Sequence, residues 1–278
     1  MRLGISVFAT DRSWPVDDLA RAAEERGLAS LMVPEHTHMP VDHTPHPAGG
    51  ELPEEYLRTL DPFLALGAAA AATSDLELIT GVALVAQRDP IVTAKEVATL
   101  DHLSGGRLTF GVGYGWNVPE VEHHGVAFAE RRAVTRDRLA LMRSVWTEEI
   151  ASSEGRHAPL APSRAWPKPV QRPHPKVLLG AALGPRTLDD LVAVCDGWLP
   201  LGARATAEGL PRLREAWKDA GREGEPQVHV SGARADADYL RRLAGAGVDR
   251  ASVWIPSRGR AEALPSLDAL AGVAEELA

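Results

Sequence analysis

The chain has 278 residues, and its 30 lysines and arginines against 38 aspartates and glutamates give a formal net charge of −8 at neutral pH. This acidic balance argues against a general affinity for nucleic acids or anionic membranes. The single cysteine, Cys195, excludes an internal disulfide and fits a reducing cytoplasm, and no apolar run reaches the ~18 residues that a membrane span needs.

The first half of the chain alternates between short apolar runs and stretches with helical periodicity. Its opening residues lack a basic start and a cleavage site, so we expect no signal peptide and a cytoplasmic protein. Apolar runs predict strands at Leu3–Phe8, Ser30–Pro34, Leu76–Val85 and Arg107–Val112. Periodicity predicts helices at Val16–Arg26, Pro62–Thr73, Asp89–Leu103 and, after a polar loop, Arg131–Trp146.

The alternation breaks in a proline-rich segment, at about residues 151–175. Prolines at positions 159, 162, 167, 169, 173 and 175 exclude a regular helix or a central strand there. Because strands and helices resume directly afterwards, we interpret this segment as an excursion from the fold and not as a linker between domains.

The second half restores the alternation. Strands are predicted at Lys176–Leu179, Asp196–Leu199, Gln227–Val230 and Ala251–Ile255. One helix is predicted to begin near Pro185, and the other three cover Ala207–Ala220, Asp236–Ala244 and Leu264–Leu277. Eight strands alternating with eight helices predict an α/β fold of the (β/α)8 TIM-barrel class, as a single domain over residues 1–278. An open doubly wound sheet is the alternative, but residues 8–11 (FATD) lack its glycine-rich fingerprint.

In such a barrel the active site lies at the carboxyl ends of the strands. Glu35 and His36 follow the second strand directly, and an imidazole there could exchange protons near neutral pH or be a structural histidine. Glycines cluster in Gly111–Trp116 and again in Gly180–Gly184. They would let a planar ring and a phosphate approach the backbone, or would simply permit tight turns.

Several other residues invite alternative interpretations. His36, His38, His43 and His46 with Asp42 have spacings that suit a metal, but no further ligands follow on later strands, so a solvated lid loop is favoured and no metal is expected. Cys195 is interpreted as a buried apolar residue. Two tryptophans on strands, Trp198 and Trp254, are expected in the core, whereas Trp116 lies at the rim and could stack on a ring.

The run TGVALVAQRDPIVTAKEVATLDHLSGGRLTFGVGYGW, Thr80–Trp116, closely resembles the segment over the third and fourth strands of luciferase-like oxidoreductases. SLMVPEH, Ser30–His36, is similar to their second strand. PKPVQRPHPKVLLGA, Pro167–Ala181, and CDGWLPLG, Cys195–Gly202, resemble their fifth and sixth strands. The overall pattern is most similar to the branch of that family that uses coenzyme F420.

The resemblance implies a TIM barrel that binds F420 or FMN at the carboxyl-end rim. It also implies a non-prolyl cis peptide at Thr80–Gly81 or Gly81–Val82, under the ring of the cofactor. Glu35 would contact the cofactor and His36 would handle the proton. The remaining expected cofactor contacts are Phe8, Thr80, Gly81, Val82, Gly113, Tyr114, Gly115, Trp116, Gly180, Ala181 and Ala182, the last three through their N–H groups.

Three functions remain open on the sequence. The first is F420-dependent hydride transfer to or from a small organic substrate. The second is an FMN-dependent monooxygenase that uses O2. Tyr114 stands where the luciferases carry an arginine, which argues against this function. The third is a non-catalytic cofactor-binding protein. F420-dependent sugar-phosphate dehydrogenases carry a glutamate where Trp116 stands, so an apolar or aromatic substrate is expected instead. Relatives are commonly dimers, and we expect a homodimer.

Overall fold

The computed structural model describes residues 1–277, apart from the side chains at positions 203 and 204. Its strands, β1 to β11 in chain order, are Arg2–Ser6, Ser30–Val33, Glu77–Thr80, Ala83–Leu84, Leu108–Gly113, Ala151–Gly155, Ala158–Ser163, Lys176–Leu179, Gly197–Trp198, Gln227–Ser231 and Arg250–Trp254. Its helices, α1 to α9, are Val16–Glu24, Pro62–Ala72, Pro90–Leu103, Val118–His123, Arg131–Thr147, Pro185–Val194, Ala203–Asp219, Ala237–Gly245 and Arg260–Leu277. Short 3₁₀ helices cover Glu54–Leu57, Val85–Gln87 and Phe128–Glu130.

Eight parallel strands close into a barrel. The ring runs β1–β2–β3–β5–β8–β9–β10–β11 and returns to β1, with every pairing parallel. The strand β4 continues the third strand of the ring and pairs with β5. The closed ring of eight parallel strands confirms the predicted (β/α)8 barrel. The helices between the strands pack against its buried apolar side chains.

Local signals in the sequence explain where the helices begin. The carboxylate of Asp89 accepts hydrogen bonds from the N–H groups of Ile91 (3.0 Å) and Val92 (2.8 Å), as expected of the N-cap that precedes Pro90. Asp61 caps α2 in the same way, through the N–H groups of residues 63 and 64. Among the described residues, no helix is long and apolar enough to cross a bilayer.

Three elements differ from the prediction. The predicted third strand, Leu76–Val85, is divided into β3 and β4 at residues 81–82 and ends at Leu84. The proline-rich excursion lies where it was expected, but β6 and β7 form an antiparallel ribbon within it. Pro159 and Pro162 are tolerated because a two-stranded ribbon leaves one edge of each strand unpaired. The helix α4 lies in the segment before Arg131 that was predicted as a polar loop. This short helix carries a residue of the candidate site described next.

Candidate active site

A cavity of about 300 Å³ opens at the carboxyl ends of the barrel strands. Its wall is mostly apolar and aromatic. The lining residues are Phe8, Pro34, Glu35, His36, Tyr56, Gly81, Val82, Leu84, Trp116, Gly180, Ala181, Ala182, Trp198, Leu199, Leu201, Ala205, Ser231 and Trp254. The size and the lining are typical of a small-molecule site in this fold.

The structure brings most of the predicted site residues together. Phe8, Glu35, His36, Gly81, Val82, Trp116, Gly180, Ala181 and Ala182 all line this one cavity. Thr80, Gly113, Tyr114 and Gly115 lie next to it but do not line it. The side chain of Thr80 is fully buried and donates a hydrogen bond to the carbonyl of Gly111 (2.7 Å), within the barrel wall.

Two glycines make room for Val82, which forms part of the cavity floor. The peptide bond between Gly81 and Val82 is cis, at the second of the two positions that the resemblance implies. A Cβ atom at Gly113 or at Gly180 would lie 2.5 Å from a methyl carbon of Val82. No real Cβ contact is that short, so Val82 occupies the space that these two glycines leave free. These glycines were predicted to leave space for the cofactor itself, but the side chain of Val82 fills that space.

The side chain of Tyr114 points away from the cavity. Its hydroxyl donates to Asp190 on α6 (2.5 Å), and the guanidinium of Arg132 lies 4.3 Å above its ring. Burial, with the hydrogen bond to Asp190, raises the pKa of Tyr114 far above its ordinary value, so the hydroxyl stays protonated. Tyr114 therefore anchors α6 to the fourth strand of the barrel.

Glu35 is buried and held by a cation. Its carboxylate accepts hydrogen bonds from Arg88 Nε (2.6 Å) and from the N–H of Leu84 (2.7 Å). Burial raises the pKa of Glu35, and the charge of Arg88 offsets part of that effect. Arg88 also pairs with Asp61 and with Glu96 (3.0 Å), so it connects the cavity wall to α2 and α3. Glu35 thus lines the cavity with its charge balanced by Arg88.

His36 has a buried carboxylate partner that the sequence analysis missed. Its Nδ1 lies 2.9 Å and 3.1 Å from the two carboxylate oxygens of Glu120 on α4, and only 1% of the Glu120 side chain is exposed. The Nε2 atom of His36 has no partner in the described part of the chain and is not enclosed by protein. The sequence N-V-P-E, residues 117–120, carries an N-cap and proline signal that could have placed Glu120 in a first helical turn.

The loop between β2 and α2 covers the cavity and is fastened to the start of α4. The side chain of Asn117 is fully buried and accepts a hydrogen bond from the N–H of Thr44 (2.9 Å). In return, the N–H of Val118 donates to the hydroxyl of Thr44 (2.9 Å), so the loop caps α4. The loop and the helix that carries Glu120 are therefore held together.

Aromatic side chains from this loop meet aromatic side chains from the strands. Tyr56 lies 4.6 Å from the Phe8 ring and 5.2 Å from the His36 ring, centroid to centroid. Trp116 meets the His36 ring edge-on at 5.8 Å. Trp254, which was expected in the core, is 37% exposed and stacks on Phe8 at 5.1 Å. That expectation was wrong because an inward-facing residue at the last position of a strand meets the cavity, not the core.

The histidines of the covering loop do not gather into a metal site. In the described residues no group of three or more histidine, cysteine, aspartate or glutamate side chains has a metal-binding arrangement. His38 instead hydrogen-bonds His123 on α4 (2.9 Å), His43 bonds the Thr44 carbonyl (2.9 Å), and His46 bonds the Tyr56 hydroxyl (3.1 Å). Cys195 is completely buried, as expected, and burial raises the pKa of its thiol.

The backbone at Gly180–Ala182 offers unpaired donors to the cavity. The N–H of Gly180 donates to the carbonyl of Val112 (2.8 Å), whereas those of Ala181 and Ala182 make no hydrogen bond in residues 1–277. These two residues line the cavity just before the N-terminus of α6, which has no side-chain cap. Free N–H groups beside a helix N-terminus suit an anion such as a phosphate.

Known proteins are similar to this chain in sequence and in fold. The model of the luciferase-like monooxygenase family matches residues 13–249. The chain is 42% identical over 276 residues to the uncharacterized protein Rv0953c of Mycobacterium tuberculosis, covering 98% of both chains. It is 32% identical over 213 residues to an F420-dependent glucose-6-phosphate dehydrogenase of Nakamurella multipartita, covering 74% of this chain and 58% of that one.

A solved structure agrees with the fold. The monooxygenase RslO1 from Streptomyces bottropensis superimposes with a TM-score of 0.81 and 20% identity, covering 99% of each chain. With the barrel, the excursion and the cavity at the carboxyl ends of the strands, the family match over residues 13–249 assigns the chain. This protein is a member of the luciferase-like monooxygenase family, whose members are oxidoreductases or monooxygenases.

Proposed function

We propose that this protein is an F420-dependent oxidoreductase that moves a hydride between the deazaflavin and a small organic substrate. The observation that carries the proposal is the joint presence, in one apolar cavity, of an imidazole nitrogen without a hydrogen-bond partner and of free backbone donors. His36 Nε2 is without a partner in the described chain, and the Ala181 and Ala182 N–H groups are free. The similarity to an F420-dependent dehydrogenase supports the choice of cofactor.

The residues of the cavity fit the cofactor that we propose. Gly81 and Val82 form an apolar floor for a planar ring, and the N–H groups of Ala181 and Ala182 would hold its phosphate. When bound, the deazaflavin supplies the hydride chemistry. The protein orients the substrate, excludes water from the apolar cavity and exchanges the accompanying proton at His36 Nε2. An oxidised substrate gains the hydride and the proton together, and a reduced substrate loses both.

The lining of the cavity favours an uncharged apolar or aromatic substrate. Glu35 is the one lining carboxylate and is neutralised by Arg88, and no lysine or arginine lines the cavity among the side chains that the structure describes. The N–H groups of Ala181 and Ala182 would already hold the phosphate of the cofactor, so a second phosphate, on a sugar substrate, would need a cation to replace its hydration. Tyr56, Trp116 and Trp254 provide aromatic faces that suit an apolar molecule.

A second candidate is an FMN-dependent monooxygenase on the same site. The fold is similar to that of the monooxygenase RslO1, and one barrel fold can serve both chemistries, so this function stays a candidate. Arg132 is the cation that is hydrogen-bonded to the proposed phosphate segment, through Thr187 (3.3 Å). Its guanidinium is already paired with Asp190 (3.0 Å), so it is not free to bind the phosphate of FMN. This favours F420, whose phosphate we propose to be held by backbone N–H groups alone. The third hypothesis is a cofactor carrier without catalytic activity.

Titration of the purified protein with F420 and with FMN tests the proposal. Trp116, Trp198 and Trp254 line the cavity, so binding should quench the intrinsic tryptophan fluorescence. Saturable quenching by F420 and not by FMN supports the proposal, and preference for FMN overturns it. Trp116→Phe should lose part of the quenching, whereas Trp166→Phe, an exposed tryptophan of the excursion, should keep the F420-dependent part.

We also propose a cytoplasmic homodimer in which residues 1–278 act as one domain. A groove of about 800 Å³ between α2, α3 and the excursion exposes apolar side chains. Leu64 is 78% exposed, Val92 56% and Leu103 67%. An apolar patch of this kind is typical of an interface, and a second copy of this chain is the partner that we propose for it.

A further inference from the structure

The carboxylate of Glu120 is buried without a permanently charged partner. Its two oxygens are 3.1 Å and 2.9 Å from His36 Nδ1, and the described residues provide no other hydrogen bond to them. An isolated buried carboxylate is costly unless hydrogen bonds or a counter-charge compensate it. The His36 ring is therefore the group that compensates Glu120, and Glu120 in turn governs the state of the ring.

We propose that Glu120 is a positioning residue, which fixes the His36 proton on Nδ1 and leaves Nε2 free to exchange a proton with the substrate. A carboxylate can only accept hydrogen bonds, so the nitrogen that faces it must carry the hydrogen. When the ring is neutral, Nε2 then carries the free lone pair, on a side chain that lines the cavity. This inference rests on the proposed proton exchange at His36.

The surroundings of the pair hold this orientation. The ring of His36 is packed between Tyr56, at 5.2 Å, and Trp116, at 5.8 Å, which restricts its rotation. The helix that carries Glu120 is capped by Thr44 of the covering loop. Both partners of the pair are thus fixed by elements that form the cavity, and neither must move when a proton arrives at Nε2.

The pair also accommodates both charge states of His36. With a neutral ring, Glu120 accepts one hydrogen bond from Nδ1; after Nε2 takes a proton, the same contact becomes an ion pair. This arrangement parallels the acid that orients the histidine of the serine hydrolases. Without the acceptor, a neutral imidazole can place its hydrogen on Nε2, where it blocks proton uptake.

Nitrogen NMR of the ring tests the inference without cofactor or substrate. The full-length protein is labelled with ¹⁵N-histidine, and the His36 signals are assigned by their absence in His36→Ala. At alkaline pH we expect a protonated Nδ1 and an unprotonated Nε2. Glu120→Leu should shift the hydrogen toward Nε2, whereas Glu120→Gln, whose amide oxygen can still accept, should keep it on Nδ1.

Glu122 provides a matched control on the same helix, because its side chain is exposed. Glu122→Leu should leave the His36 signals unchanged. A wild-type ring protonated on Nε2, or an unchanged ring in folded Glu120→Leu, overturns the inference. If Glu120→Leu does not fold, the wild-type spectrum decides, because an Nε2-bound hydrogen there contradicts the assignment.

Kinetics separates this inference from the proposed function. Once a substrate is found, Glu120→Leu should lower kcat by about 10²-fold or more and leave the Kd of the cofactor unchanged. If the NMR result is as expected but His36→Ala keeps full turnover, the proton role of His36 fails while the tautomer assignment stands. If the hydrogen lies on Nε2, the inference fails whatever the turnover.

Discussion

The most informative perturbation outside the cavity is Arg88→Met, because this guanidinium compensates three carboxylates at once. Its Nε lies 2.6 Å from Glu35 and its Nη1 3.0 Å from Glu96, and Nη2 pairs with Asp61. The side chain of Arg88 is 12% exposed and that of Glu35 2%. Arg88→Met fills a similar volume but leaves the Glu35 carboxylate with only the N–H of Leu84.

The expected cost follows from the burial of Glu35. Removing one partner of a buried ion pair destabilises a protein by about 3–5 kcal/mol, since the remaining charge is left without compensation. For a chain of this size each kcal/mol lowers Tm by about 2–4 °C, so Arg88→Met should lower Tm by roughly 6–20 °C. Thermal unfolding followed by circular dichroism measures this shift.

The loss should depend on pH in a defined direction. Burial raises the pKa of Glu35 in the folded protein, and removal of Arg88 raises this pKa further. A carboxyl whose folded pKa lies above its unfolded pKa takes up a proton on folding between the two values, so stability falls as pH rises through that range. The deficit of Arg88→Met should therefore be largest at neutral pH and shrink toward acidic pH.

A double mutant and a surface control make the test specific. Glu35→Gln removes the buried charge, so Arg88→Met with Glu35→Gln should be more stable than Arg88→Met alone. Arg58→Met breaks the surface pairs with Asp11 and Glu54 and should shift Tm far less. A shift for Arg88→Met no larger than for Arg58→Met, or a double mutant no more stable than the single mutant, would refute the reasoning.

Three further predictions concern the site and the assembly. His36→Ala should abolish turnover but keep F420 binding by fluorescence titration; retained turnover contradicts the proton role, and an absence of turnover in the wild type with every candidate substrate favours a carrier. Gly113→Ala should weaken F420 binding, because its Cβ would lie 2.5 Å from a methyl carbon of Val82; the pair with Val82→Ala should recover it, and equal affinities for Gly113→Ala and wild type would exclude the clash. Val92→Glu, on the exposed apolar groove, should convert the proposed dimer to a monomer in analytical ultracentrifugation, whereas a dimer that persists would place the interface elsewhere.

The sequence was sufficient for the elements that depend on local signals. Asp89 and Pro90 mark the start of α3, and the observed carboxylate bonds to the N–H groups of Ile91 and Val92 are those of an N-cap. The position of His36 directly after the second strand placed it at the carboxyl-end rim, where the cavity is found. Strand–helix alternation is a repeated local pattern, and eight repeats favoured closure into a barrel.

The directions of side chains could not be predicted in the same way. Tyr114 stands in the glycine-rich segment that resembles a cofactor-binding strand end, yet its hydroxyl binds Asp190 outside the cavity. Trp254 was expected in the core, yet it stacks on Phe8 in the wall of the cavity. At the last residues of a strand, the end of the barrel decides whether a side chain meets core, helix or cavity.

The sequence by itself determined the alternation of elements, the barrel, the place of the excursion and the rim position of His36. The tertiary structure alone decided which groups meet there. Glu120 lies 84 positions after His36 in the chain, and Arg88 lies 53 positions after Glu35. These pairs form because closure of the barrel brings the carboxyl ends of distant strands to one rim, and separation along the chain carries no signal of such contacts.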